Sequence, residues 1–389
     1  MNKESFAATL KKNSMLIILV LVYLFFLVLT KGGIFQSSSF TELINQNAYV
    51  YILGVGMLMC MLTGGNIDLS CGAFVCLLGA IGGMFMIVKG MGTGVSILLL
   101  VLIGVLYGVI LGFLIAYVNI PPWIATLAGF LAFRGLGTSI LSNNSTTGSL
   151  APFPVAFQNV FYGRVFPTNK GVFNIPCFAA GLLAAAVITL VIFLNRKNRI
   201  KKGYEADTIR AACLKSVISD AAVLLVMYKL AWDGGIPTTL LWVAGIVLIY
   251  SFITSKTTIG RHFYVVGGNM EAARLSGVNT RRIMFLAYLN MAVLTAIATF
   301  TVVARSQSAY ADVGKNFEMD AISACVVGGV SATGGAGSVL GMVIGATLIG
   351  IINLGMSLIS LDANYQRVVK GFVLLAAVVF DILSQKKER

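Results

Sequence analysis

Charge is what this chain has least of: 11% of its 389 residues are Asp, Glu, Lys or Arg, against about a quarter in ordinary soluble domains. Histidine is nearly missing too. His262 stands alone, which excludes a His-based catalytic triad and a multi-histidine metal site. The six cysteines include Cys60, Cys71, Cys76 and Cys325 in or beside apolar runs and form no C-x-x-C pair. They read as small packing residues, not as a metal or redox centre. A G-x-x-x-x-G-K-[ST] phosphate loop is also missing, so a process driven by ATP through such a loop must draw on a separate subunit. With no nucleophile–base pair visible, neither an enzyme nor a cofactor is expected.

What the chain has instead is apolar sequence in long runs. It is 58% hydrophobic, with a mean hydropathy of +0.91. A hydrocarbon core about 30 Å thick takes roughly 20 apolar residues as helix. Lipid satisfies no backbone group, so spanning elements are helices or closed barrels. The runs are continuous and not alternating, which predicts an all-α integral membrane protein of about 12 transmembrane helices, within a range of about 10–12. The candidate spans are 14–30, 45–63, 70–88, 94–117, 122–141, 176–195, 216–232, 236–254, 283–303, 320–336, 338–358 and 365–383. The weakest lies in 320–340, and two spans can merge or turn back without upsetting the parity.

A net charge of +14 would point a soluble protein toward nucleic acid. Here the basic residues gather in short connections, so the expected partner is the bilayer. They fall at Lys3, Lys11 and Lys12, at Arg196 to Lys202, between Lys256 and Arg282, and at Lys386, Lys387 and Arg389. Twelve alternating spans put all of these on one side, the cytoplasm by the positive-inside rule, with both termini there. The connection Ser142 to Ile175, carrying only Arg164 and Lys170, then faces outward. No small-residue cleavage site follows the first apolar run, only Thr30-Lys31-Gly32-Gly33, so an uncleaved first span is expected.

The 42 glycines are frequent inside spans. Gly104, Gly108 and Gly112 share one helical face and predict close helix packing, and Gly341, Gly345 and Gly350 lie in a later span. Glycine and polar residues interrupt two apolar stretches, Gly64 to Gly72 and Gly328 to Ser338. Broken segments of this kind in two loosely duplicated halves mark transporter cores with a path between the halves. The chain therefore divides into a single polytopic domain, 1–389, with half-cores at 45–141 and 283–383 and a helical hairpin with a basic tip at 176–232. The cytoplasmic loop at 255–282 contains a short helix. Asn269 suits its N-cap, Glu271 the positive end of its dipole, and Gly277 a left-handed terminator. Ala272 and Ala273 keep one face slim enough to enter a groove of another protein; a simple surface turn is the competing reading.

Glu271-Ala272-Ala273 followed by Gly277 resembles the coupling motif of ABC-importer permeases. The run from Gly267 to Ile283, with Arg274, resembles their ribose/xylose/multiple-monosaccharide branch. Gly65 to Ser70, Pro121 to Gly129, Phe133-Arg134-Gly135, Asp320 to Gly329 and Gly335 to Gly341 agree in order and spacing, so the likeness runs from about residue 40 to the C-terminus. Two departures stand out: the hairpin at 176–232, which shorter ribose-type members lack, and Cys71, where valine is more usual. The resemblance implies a bacterial cytoplasmic-membrane permease working as two copies with a separate ABC ATPase subunit. An extracytoplasmic sugar-binding protein would deliver a monosaccharide of xylose, galactose, glucose or arabinose type.

Asp68, Arg134 and Asp320 are ionisable groups at or near membrane depth, where such residues line a path, pair or cap a helix. Trp123 is placed to stack on a sugar or to face lipid. These four are the candidate path residues. Rival readings are a permease for a branched-chain amino acid or nucleoside, an ion-coupled secondary transporter relying on Asp68 and Asp320, and a membrane scaffold.

Overall fold

Apolar runs with no polar alternative for their backbone groups should be helical almost from end to end. The computed structural model, which describes residues 14–206 and 208–386, is so. The termini that carry Lys3, Lys11, Lys12, Lys387 and Arg389 lie outside the described residues. The helices are α1 (Ser14–Leu29), α2 (Ser37–Leu62), α3 (Cys71–Gly83, continued by a π-helical turn, Met84–Val88), α4 (Thr93–Ala116) and α5 (Pro122–Asn144). Then come α6 (Val155–Tyr162), α7 (Ile175–Lys201), α8 (Ile209–Trp232), α9 (Thr238–Lys256), α10 (Thr258–Gly268) and α11 (Met270–Leu275). The last are α12 (Thr280–Ser306), α13 (Phe317–Val327), α14 (Val339–Leu358) and α15 (Ala363–Lys386). Two short antiparallel ladders close one end of the bundle. β1 (Ser149–Leu150) pairs with β4 (Ala309–Tyr310), and β2 (Arg164–Val165) with β3 (Ile236–Pro237).

Every expected span holds a helix, and nine helices among the described residues are long and apolar enough to cross a membrane. Three differences are informative. α2 begins at Ser37 and not near 45, because its polar first turns are helical beyond the apolar run; Glu42 there meets Arg305 at the end of α12. α10 is a full helix within what reads in sequence as a connection. The span expected at 320–336 is replaced by α13, whose 11 residues rise about 16 Å, roughly half a hydrocarbon core. Gly328 caps it, and residues 329–338 continue as an irregular stretch to the far end of the bundle, so this crossing is only half helical.

Burial sorts the helices into layers. The spanning windows of α2, α3, α12 and α14 are 61–72% buried, whereas those of α4, α5, α7, α8 and α9 are 17–28% buried. The outer helices turn large apolar side chains outward, Leu183, Leu248 and Leu131 among them. In water such a surface would aggregate; lipid as the solvent removes that cost. The glycine face of α4 packs as its spacing predicts. A Cβ on Gly104 would lie 3.1 Å from Ala296 Cβ, one on Gly108 2.8 Å from Leu289 Cα, and one on Gly112 2.9 Å from the Phe285 carbonyl oxygen. α4 therefore lies directly on the backbone of α12.

At the ladder end, the buried carboxylate of Asp233 closes α8. Arg164 Nη2 approaches Asp233 Oδ2 to 2.9 Å, Lys170 Nζ approaches Oδ1 to 3.5 Å, and Arg164 Nη1 also donates to the Asp233 carbonyl. Burial pushes the Asp233 carboxyl up, but the hydrogen bonds and charge of Arg164, with Lys170, hold it below the ordinary aspartate value. Asp233→Asn should cost about 1–3 kcal/mol, less than a fully enclosed pair because Arg164 keeps some access to water. A depressed folded value means that the stabilisation is complete above about pH 3.9 and is lost as pH falls through the lower folded value. Melting in detergent should therefore show a wild-type advantage that is flat from about pH 5 to 8 and shrinks only in strong acid.

Candidate functional site

The short helix α11 is held at both ends as its sequence requires. Asn269 is extended, and its Oδ1 accepts from the Ala272 amide at 3.0 Å. At the other end the Gly277 amide donates to the Arg274 carbonyl and the Val278 amide to the Ala273 carbonyl, both at 3.0 Å. Gly277 has φ +82°, a left-handed stop that favours glycine. Asn279 then caps α12 by accepting from the Arg282 amide. Glu271 and Arg274 occupy the first and last turns, each matching the dipole. Ala273 is fully buried against its own bundle, so of the two alanines only Ala272 lies on the outer side. Leu275, passed over in the sequence, is 87% exposed beside half-exposed Met270; its signal was an apolar residue one turn from Glu271.

α10 ties this helix to the interior. A Cβ on Gly267 would sit 1.7 Å from the Leu62 carbonyl oxygen and 2.6 Å from the Gly335 amide nitrogen, so only glycine lets three backbones meet there. The Gly335 amide donates to the Leu62 carbonyl at 3.2 Å, and the Tyr264 hydroxyl donates to the Gly337 carbonyl at 3.1 Å. A Cβ on Gly65 would lie 2.0 Å from the Ala332 carbonyl oxygen. The two glycine-rich interruptions read from sequence thus touch one another and the segment that carries α11.

Each side of this junction leads to a helix that starts inside the bundle. After Gly65 the chain turns inward, and Asp68 and Ser70 are wholly enclosed before α3 begins. Residues 311–316 enter from the ladder end and lead into α13. The two helix starts meet: a Cβ on Gly72 would be 2.1 Å from Glu318 Oε2 and 2.3 Å from the Gly314 carbonyl oxygen. Buried Glu318 thereby sits at the N-terminus of α3, where the dipole favours negative charge.

The candidate path residues are placed differently from one another. Asp68 Oδ1 accepts from the Ser70 amide at 2.8 Å and the Ser70 hydroxyl at 2.5 Å, fixing the turn just ahead of α3. Arg134 Nη1 donates to the Ala311 and Val313 carbonyls at 2.9 and 2.8 Å, strapping the inward segment to α5. Trp123 is 58% exposed at the outer face of α5. Asp320, in the first turn of α13, accepts from the Tyr49 hydroxyl at 2.6 Å and from Lys370 Nζ at 3.0 Å. It lines a cavity of about 220 Å³ with Asn316, Ser323, Arg367 and Lys370. Lys370 and Arg367 were legible as basic residues within the last apolar run, where an opposite charge had to be near.

Comparison with known proteins agrees with this architecture. Residues 39–378 match the family described as "Branched-chain amino acid transport system / permease component". The xylose transport system permease protein XylH of Haemophilus influenzae is 33% identical over 377 residues, 96% of each chain. XylH of Escherichia coli strain K12 is 31% identical over 373 residues, 96% of this chain and 92% of its own. The ribose import permease protein RbsC of Bacillus subtilis is 32% identical over 341 residues, 87% of this chain and 83% of its own. No solved structure matches.

Two outcomes test the geometry. Gly267→Ala should destabilise more than Asn269→Ala, since the first drives a methyl into backbone and the second removes a cap worth about 1 kcal/mol; thermal melts of the two variants make the comparison. Lys370→Met should cost about 1–3 kcal/mol by leaving Asp320 buried and uncompensated, and adding Asp320→Asn should recover most of that loss. A cycle of melting temperatures over the four proteins measures the coupling.

Proposed function

Because the chain belongs to this family of permease components, we propose that it is the membrane permease of an ATP-driven monosaccharide importer of the xylose or ribose kind. The observation that carries the reading is a capped helix, α11, held out at the surface and pinned through Gly267 to both interrupted membrane segments. In this reading Glu271, Ala272, Arg274 and Leu275 dock in a cleft of a separate ABC ATPase subunit, with Asn269, Ala273 and Gly277 holding the helix in place. The basic connections put that face in the cytoplasm, with both termini. Residues 45–141 and 283–383 are the two half-cores, and 255–282 the coupling loop between them and the ATPase.

Closure of the ATPase pair moves α10 and α11. The shared backbone junction passes that displacement to residues 62–70 and 328–338, and so to the inward starts of α3 and α13. The solute path runs beside Asp320, whose charge Lys370 balances, leaving Asn316 and Ser323 to hydrogen-bond hydroxyl groups. Asp68 and Arg134 hold the helix starts that frame the path, and Trp123 faces lipid. Two copies of the chain form the importer, and a sugar-binding protein outside the cytoplasmic membrane supplies xylose or a related monosaccharide. The family's description names branched-chain amino acids, which makes such a solute the second reading.

Proteoliposomes holding this chain, its ATPase and its binding protein test both readings by solute-stimulated ATP hydrolysis. Xylose, ribose, galactose, glucose, arabinose and leucine are compared. A pentose or hexose should stimulate and leucine should not; the reverse result moves the assignment to the amino-acid branch. Leu275→Ala, whose side chain is exposed, should leave melting unchanged yet weaken ATPase association by about 1–2 kcal/mol, roughly 5–30-fold. Transport by the chain alone under an ion gradient would remove the ABC assignment.

A further inference from the structure

The α7–α8 hairpin carries a feature that solute import does not use. Near its tip the two helices part around a cavity of about 520 Å³. Asn195, Arg196 and Arg199 of α7, Glu205 and Ala206 of the connection, and Lys215 of α8 line it with Ile192 and Ala212, so three cations face one carboxylate. Arg199 Nε donates to the Glu205 carbonyl at 2.9 Å. From Arg196 to Lys215 the sequence has seven basic residues against two acidic ones.

The position of this cavity along the helices matters as much as its charge. Leu190, Val191 and Leu194 on α7, and Leu214, Val217 and Ile218 on α8, are exposed apolar side chains that border the cationic cluster, within which Ile200 and Ile209 are also exposed. In a bilayer that boundary is the level of the headgroup phosphates. Guanidinium groups match phosphate oxygens in pairs, and basic clusters just beyond a spanning helix attract anionic lipid. The apolar residues between the helices offer the start of an acyl chain a place beside the phosphate.

We propose that this cavity is a binding site for the phosphate headgroup of an anionic phospholipid, which fastens the hairpin tip to the leaflet on the basic side. The site depends only on the chain crossing a bilayer and not on which solute it moves.

The test uses the full-length chain, purified in neutral detergent and offered equal amounts of phosphatidylglycerol and phosphatidylcholine, with retained lipid counted by native mass spectrometry. Wild type should retain phosphatidylglycerol with about fivefold or greater preference. The triple variant Arg196→Gln, Arg199→Gln, Lys215→Gln should fall close to parity. The double variant Lys197→Gln, Lys202→Gln, which removes charge outside the cavity, should keep most of the preference. Inorganic phosphate at millimolar concentration should not displace the lipid. Equal retention of the two lipids by wild type, or an unchanged preference in the triple variant, would overturn the site. An equal loss in the double variant would replace it with diffuse attraction, and displacement by inorganic phosphate would make it a soluble-anion site. Should the triple variant not purify folded, Arg199→Gln alone should lower the preference about twofold or more, and no change there counts against the site.

Discussion

Three backbones meet at Leu62, Gly267 and Gly335 without side chains between them, and the rest of the molecule is arranged around that contact. Broken helices are costly in a bilayer because each freed amide and carbonyl needs a partner that lipid does not supply. Here the loose groups find one another. The carbonyl at the end of α2 accepts from the turn after α13, and Tyr264 of α10 reaches that same turn. The junction satisfies the backbone of two interruptions at once, and it sets the coupling segment against both.

Much of the architecture follows from this. α3 begins within the bundle because the chain after Gly65 must fold back along the helices it has just left, with Asp68 accepting from the Ser70 amide and hydroxyl in the buried turn that leads to it. α13 begins deep for a parallel reason, with Arg134 satisfying the carbonyls of the segment that leads to it. Their N-termini meet around Gly72, Gly314 and Glu318. A displacement of the coupling segment therefore has short, stiff routes to the helix starts, through contacts too close to absorb it by side-chain rearrangement.

The periphery works under a different constraint. α4 is joined to α12 by glycine against backbone, but the α7–α8 hairpin offers most of its surface to lipid. It is held at the ladder end by Asn174 and Asp233 and carries its charge at the other. A hairpin fixed at one end gains from an attachment at the other, which is where the basic cavity lies.

Composition and run length alone determined that this chain is a helical membrane protein, where its spans fall, which face of α4 packs tightly, and that Asn269 and Gly277 bound a short helix. Those properties depend on local hydropathy, side-chain size and backbone preference, all carried by neighbouring residues. Tertiary structure decided that α13 covers only half of its crossing, because a glycine pair ends a helix in lipid only where another backbone receives the freed groups. It also decided that Ala273 turns inward while Leu275 turns out, and that Asp320 pairs with Lys370. Asp320's partners lie 50 and 271 residues away, and a pattern read along the chain holds no record of such distances.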